Sequence, residues 1–151
     1  MTAAPGTTLL LIRHGETQWN LDNRVQGHLD IPLTERGRLQ ARLLASWLAS
    51  EPLAAVYTSD LCRASETAEI VAGDRAPVFL EPRLREAAFG DFQGLTTPEI
   101  KERFLEAYEA WRHDAVRNRP PGGETLEDLG DRCLAALRDV VERHPGETMA
   151  V

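Results

Sequence analysis

Cysteine is scarce in this chain. Only Cys62 and Cys133 occur among 151 residues, too few for a disulfide framework, and no CxxC pair or Cys/His cluster suggests a zinc site. Long hydrophobic runs are absent as well: stretches such as Leu9 to Ile12 are far too short to span a bilayer. Basic residues are outnumbered, 17 against 24 acidic, for a formal net charge of −7, which argues against broad nucleic-acid affinity. No GxGxxG follows the first strand-like segment, so a dinucleotide-binding domain is set aside. The opening MTAAPG has neither the basic nor the apolar region of a signal peptide. The expectation is a cytoplasmic protein without membrane or nucleic-acid partners, with a homodimer left open.

What is present is ordinary for a globular protein: 42% hydrophobic and 27% charged residues. A chain of this length buries roughly two-thirds of its unfolded surface, and residues 1–151 read as a single domain. The segment Thr7 to Arg13 (TTLLLIR) lacks alternation and suits a strand buried on both faces, as in a parallel sheet. A long polar stretch follows, from His14 to Pro32. Thr34 caps a predicted helix whose Leu39, Leu43, Leu44, Trp47 and Leu48 share a face expected to be core. Leu53 to Thr58 reads as a second strand, and Ser59 or Asp60 as the cap of a helix stopped by Gly73. Pro77 to Leu80 is a third strand. Thr97-Pro98 opens a helix reaching about Ala115, and Pro120 to Gly123 breaks the chain. Thr125 caps a last helix striped by Leu126, Leu129, Cys133, Leu134, Leu137, Val140 and Val141, and Thr148 to Val151 begins a fourth strand. Strands alternating with helices predict an α/β fold: three α/β/α layers around a mostly parallel sheet.

The chemistry concentrates in Arg13-His14-Gly15-Glu16-Thr17-Gln18-Trp19-Asn20. Arginine offers a rigid fork of donors for phosphate oxygens and stays charged. A neutral imidazole beside it is a competent nucleophile towards phosphorus, and Gly15 lets backbone approach a ligand closely. In a parallel sheet, a polar loop at the carboxyl end of a strand is where ligands sit. An isolated Arg-His pair is more often an ordinary surface pair, but here the flanking pattern is long. RHGETxxN is followed by Gln26-Gly27, Asp30-Ile31-Pro32-Leu33-Thr34, Gly37 and Gln40-Ala41, then by Tyr57-Thr58-Ser59-Asp60-Leu61 with Arg63-Ala64 and Thr67-Ala68.

This pattern resembles the histidine phosphatase superfamily, also called phosphoglycerate-mutase-like. Arg63 matches the family's second arginine motif; on the first turn of a helix its charge adds to the helix dipole, and both favour a phosphate. Leu84-Arg85-Glu86 and Phe89 to Gly94 resemble the segment supplying the acid, which implies Glu86 as proton donor to the leaving oxygen in a partly desolvated site, with Glu81 and Asp91 as rivals. The resemblance implies one pocket holding Arg13, His14, Asn20 and Arg63, with Gln26 and Gly27 at its rim. Asn20 would supply an amide donor, and Gln26 would bind hydroxyls of the leaving group. The implied reaction needs no metal or other cofactor: His14 attacks the phosphoryl group of a small phosphorylated substrate, the two arginines hold its oxygens, and Glu86 protonates the departing alcohol. Water, activated by Glu86, then cleaves the phosphohistidine.

The family's second histidine, in a Thr/Ser-His-Gly motif after a strand following the last helix, has no match within these residues. The expectation is therefore a chain shortened at its C-terminus, with weak or no turnover as it stands and an active longer parent. The Gln26 to Asp30 loop, the Pro120 to Thr125 segment and the short stretch between Gly94 and Pro120 look more like the phosphatase branch than the 2,3-bisphosphoglycerate-dependent mutases. A non-catalytic phosphate-binding module is the alternative from a different class. His28 reads as a solvated loop residue, His113 and His144 as helix-end cations, and both cysteines as packing residues.

Overall fold

Four short strands pair entirely in parallel, in the order β1 (Thr8–Leu10), β4 (Thr148–Ala150), β2 (Leu53–Thr58), β3 (Val78–Leu80). This computed structural model describes residues 6–151, and the opening five residues read above for targeting signals lie outside the described part. Parallel pairing requires crossovers, and helices supply them: α2 (Glu35–Trp47), α3 (Cys62–Ala72), α4 (Thr97–His113) and α5 (Leu126–Arg143), with a single-turn α1 (Gln18–Leu21) in the first long loop. Because all strands run the same way, the segments leaving β1, β2 and β3 emerge at one edge. These segments carry His14, Arg63 and Glu86.

The sheet is covered on both faces. Leu53, Val56 and Ala150 pack with Ala68 and Ala72 of α3, while Ala55, Tyr57 and Met149 pack with Val140 of α5. Leu53 and Val56 share a face because the register shifts between Leu53 and Ala55. A separate cluster joins Phe92 to Ile100 and Tyr108 of α4, which kinks at Phe104. No described helix is long and apolar enough to cross a membrane.

Several local expectations are corrected. β1 is an edge strand, and Leu11 just beyond it is 73% exposed; the leucine run signals apolarity but not position in the sheet. The helix after β2 receives no cap from Ser59 or Asp60. Its Leu61 N-cap makes no side-chain bond; the Cys62 N–H donates instead to Asp30 Oδ1 at 2.7 Å, so a distant loop does the capping. Thr96, not Thr97, caps α4, with Glu99 completing a capping box, and that helix ends at His113. On α5 the inward face is Cys133, Ala136 and Val140, while Leu126, Leu134 and Val141 stand exposed.

The largest correction concerns α2. Leu39, Leu43 and Trp47 face solvent, Trp47 at 78% exposure, and Gly37, Ala41 and Leu48 face inward. Rotation of this helix is set by backbone contact. A Cβ at Gly37 would lie 2.2 Å from the Glu16 carbonyl oxygen, and one at Gly15 would lie 2.5 Å from the Gly37 carbonyl oxygen. The small-residue face therefore turns towards the loop after β1, and the leucine stripe is carried outward.

Gly37→Ala is accordingly expected to lower stability by about 1–3 kcal/mol through overpacking, although alanine is the better helix former. Trp47→Ser should stay within about 0.5 kcal/mol of the parent. Urea denaturation of both variants checks the pair; a neutral Gly37→Ala would contradict this account of the helix orientation.

Candidate active site

His14 stands half-buried just beyond β1, with its Nδ1 2.6 Å from its neighbour Gly15's carbonyl oxygen. A carbonyl only accepts, so Nδ1 carries the proton in this bond and Nε2 keeps the free lone pair. Burial pushes the His14 pKa below its ordinary value of 6.5, and the Arg63 and Arg13 charges push the same way, against the Gly15 bond and Glu86. The imidazole is thus held neutral and in one tautomer. The loop itself is pinned: the Gly15 N–H donates to Thr67 Oγ1 at 3.1 Å, and that hydroxyl donates to the Arg63 carbonyl at 2.7 Å.

Arg63 is 1% exposed. Its guanidinium donates to the carbonyls of Gly27 (2.7 Å) and Leu29 (2.9 Å). It pairs with neither Glu66 nor Glu69 along its helix; Glu66 instead accepts from Arg38. Gly27 has φ +54, and a Cβ there would meet the Gln93 side chain at 2.2 Å, so the residue presenting its carbonyl to Arg63 has to be glycine. Burial lowers the Arg63 pKa, with Glu86, Cys62 and Asp30 opposing the shift; arginine remains charged regardless. Arg13 is exposed and makes no ion pair among the described residues.

Arg13, His14, Arg63 and Glu86 line one cavity of about 530 Å³. They also line an adjoining one of about 350 Å³ that includes Asn20, Gln26 and Gly27. The sheet edge thus brings together all seven residues singled out from the sequence. Two details differ. Gln26 is buried rather than at the rim, its Oε1 accepting from Thr17 Oγ1, and Glu86 is exposed rather than partly desolvated. Asn20 Oδ1 is taken by the Thr17 N–H at 2.9 Å, so both amides offer only their N–H groups to the cavity.

The rival acids are otherwise engaged or remote. Glu81 is held by Arg83, and Asp91 lines neither cavity. Of the four histidines only His14 lines these spaces; His28 donates from Nε2 to the Glu86 carbonyl at 2.8 Å, and His144 binds Tyr57 and Glu147. Among the described residues no three His, Cys, Asp or Glu side chains group closely enough to hold a metal ion.

Sequence reasoning missed Trp111 and Arg112, which with Phe89 wall the smaller cavity. In sequence they are indistinguishable from ordinary helix residues, and only the packing of α4 brings them to the site.

Residues 9–151 match the family model described as histidine phosphatase superfamily (branch 1). The chain belongs to this superfamily. It is 42% identical over 147 residues to phosphoglycerate mutase-like protein 4 of Arabidopsis thaliana, covering 95% of this chain and 64% of that one. It is also 42% identical over 135 residues to glucosyl-3-phosphoglycerate phosphatase of Mycolicibacterium vanbaalenii, covering 88% and 59%. The chain thus spans about 60% of the length of these relatives. The solved structure of Bacillus stearothermophilus YhfR superposes with a TM-score of 0.91 at 44% identity, covering 96% of this chain and 72% of that one.

NMR titration of His14 is expected to give a midpoint below the ordinary histidine value. Arg13→Gln should raise it, because one of the repelling charges is removed. The sign for stability follows: a lowered folded pKa contributes stability above the unfolded histidine value, which is lost as the pH falls through it. A midpoint above 6.5 would contradict the site's electrostatics.

Proposed function

We propose that this chain carries the catalytic centre of a metal-independent phosphomonoester hydrolase that works through a phosphohistidine intermediate on a small phosphorylated metabolite. The observation that carries this reading is uncompensated positive charge around a neutral imidazole. Arg63 meets only backbone carbonyls and Arg13 makes no ion pair among the described residues, yet both line the cavity that holds His14. Charges so arranged ask for an anion, and a phosphoryl group satisfies both forks while remaining open to attack.

The steps balance without any further reactant but water. His14 Nε2 forms a bond to phosphorus in line with the ester oxygen, and the P–O bond to the alcohol breaks. Glu86 acts as general acid and gives a proton to that oxygen. Asn20 and Gln26 donate amide N–H bonds beside the phosphoryl group or its alcohol. Water then attacks phosphorus, its proton passing to the Glu86 carboxylate. Phosphate departs, and His14 and Glu86 return to their starting forms.

The cavity walled by Phe89, Trp111 and Arg112 suits a leaving alcohol with both apolar and anionic parts. Relatives named as phosphatases support hydrolysis. Those named as phosphoglycerate mutases support the alternative, in which a second hydroxyl replaces water as acceptor. A site in a cytoplasmic enzyme fits this chemistry.

Incubation with a phosphomonoester should leave acid-labile phosphate on His14, and none on His14→Ala. Phosphate released to water, with no transfer to 3-phosphoglycerate, would distinguish hydrolase from mutase. Absence of label even on a chain extended past Val151 would instead favour a non-catalytic phosphate-binding module.

A further inference from the structure

Glu86 is exposed and has no side-chain partner among the described residues; its Oε1 accepts only from the adjacent Ala87 N–H at 2.8 Å. Something else must hold it, because a proton donor misplaced by an ångström loses much of its effect. The backbone around it is unusually well anchored, and the anchor comes from α5 and the loop before it.

All five N–H bonds of Arg132 are used. Nε donates to Glu124 Oε2 at 3.0 Å and one Nη to Glu124 Oε1. The remaining three go to backbone carbonyls of the acid-bearing segment: Arg83 and Arg85 at 2.7 Å each, and Glu86 at 2.9 Å. Glu124 grips the same segment from the other side, its Oε1 accepting from the Ala88 N–H at 2.8 Å and its own N–H donating to the Ala88 carbonyl at 2.8 Å. Arg132 and Glu124 shift each other's pKa apart, the arginine's raised and the carboxylate's lowered, chiefly through their mutual hydrogen bonds. Neither residue lines the cavities that hold His14.

We propose that the Arg132–Glu124 pair is a positioning device that fixes residues 83–88 and so aims Glu86 at the leaving oxygen. Lysine cannot substitute at position 132, since three donors on a point charge cannot bridge three carbonyls and a carboxylate at once. The inference rests on the reading of Glu86 as the acid, and the test separates the two.

Rates are compared on p-nitrophenyl phosphate, whose leaving group needs no protonation, and on glycerol phosphate, whose alkoxide does. Glu86→Gln should slow the alkyl ester about 100-fold or more and the aryl ester far less. Arg132→Lys and Glu124→Gln should show the same selectivity in milder form, about tenfold on the alkyl ester and within about twofold on the aryl. Hydrogen exchange, which needs no turnover, should quicken at Ala87 and Ala88 in both variants while the interior of α5 keeps its protection. Equal losses on the two esters, or unchanged exchange at Ala87 and Ala88, overturn the positioning role and leave Glu86 standing. Equal losses in Glu86→Gln overturn the acid reading itself, and the inference with it.

Discussion

A buried guanidinium organises this molecule's functional edge. Arg63 is almost fully enclosed, and a charge without water must find hydrogen bonds or destabilise the fold. It finds two carbonyls, Gly27 and Leu29, from the loop that follows α1. The same loop sends Asp30 back to the N-terminus of α3, where it bonds the Cys62 N–H beside Arg63. Helix and loop therefore hold each other, and the price of burying the cation is met by backbone dipoles rather than by a carboxylate. A carboxylate there would neutralise the site; carbonyls solvate the charge and leave its field available to an anion.

Around that cation, each neighbour depends on the one before. The Arg63 carbonyl orients the Thr67 hydroxyl, which takes the Gly15 N–H, and the Gly15 carbonyl in turn takes His14 Nδ1. The histidine tautomer is thus traced through three hydrogen bonds to the helix that carries the arginine. Gly15 and Gly37 allow the chain after β1 and helix α2 to touch backbone to backbone, which keeps this short relay from being pushed apart by side chains.

The sequence was informative where the signal is local. Strand–helix alternation, the Thr34 and Thr125 caps, the Gly73 stop and the breaker at Pro120 to Gly123 all correspond to observed elements. It misled where a second element decides. Leu39, Leu43 and Trp47 have the spacing of a core stripe, but periodicity says only that residues share a face, not which face packs. Ser59 and Asp60 are good capping residue types, yet Asp60 is engaged by Arg85 and the helix is capped from Asp30. The Thr96–Thr97 slip reflects two adjacent threonines, of which only one is three residues before Glu99.

By itself, then, the chain's order of residues determined the fold class and the family and singled out His14, Arg13, Arg63 and Glu86 as candidates, because these lie in contiguous motifs whose chemistry is carried by residue type and spacing. Tertiary structure alone decided the His14 tautomer, the carbonyl partners of Arg63, the apolar wall from α4 and the grip of Arg132 and Glu124 on residues 83–88. The cited hydrogen bonds of Arg63, Arg132 and Glu124 join residues 34 to 49 apart, the α4 wall meets His14 from further still, and a linear pattern holds no record of which distant donor will meet which acceptor once the sheet has formed.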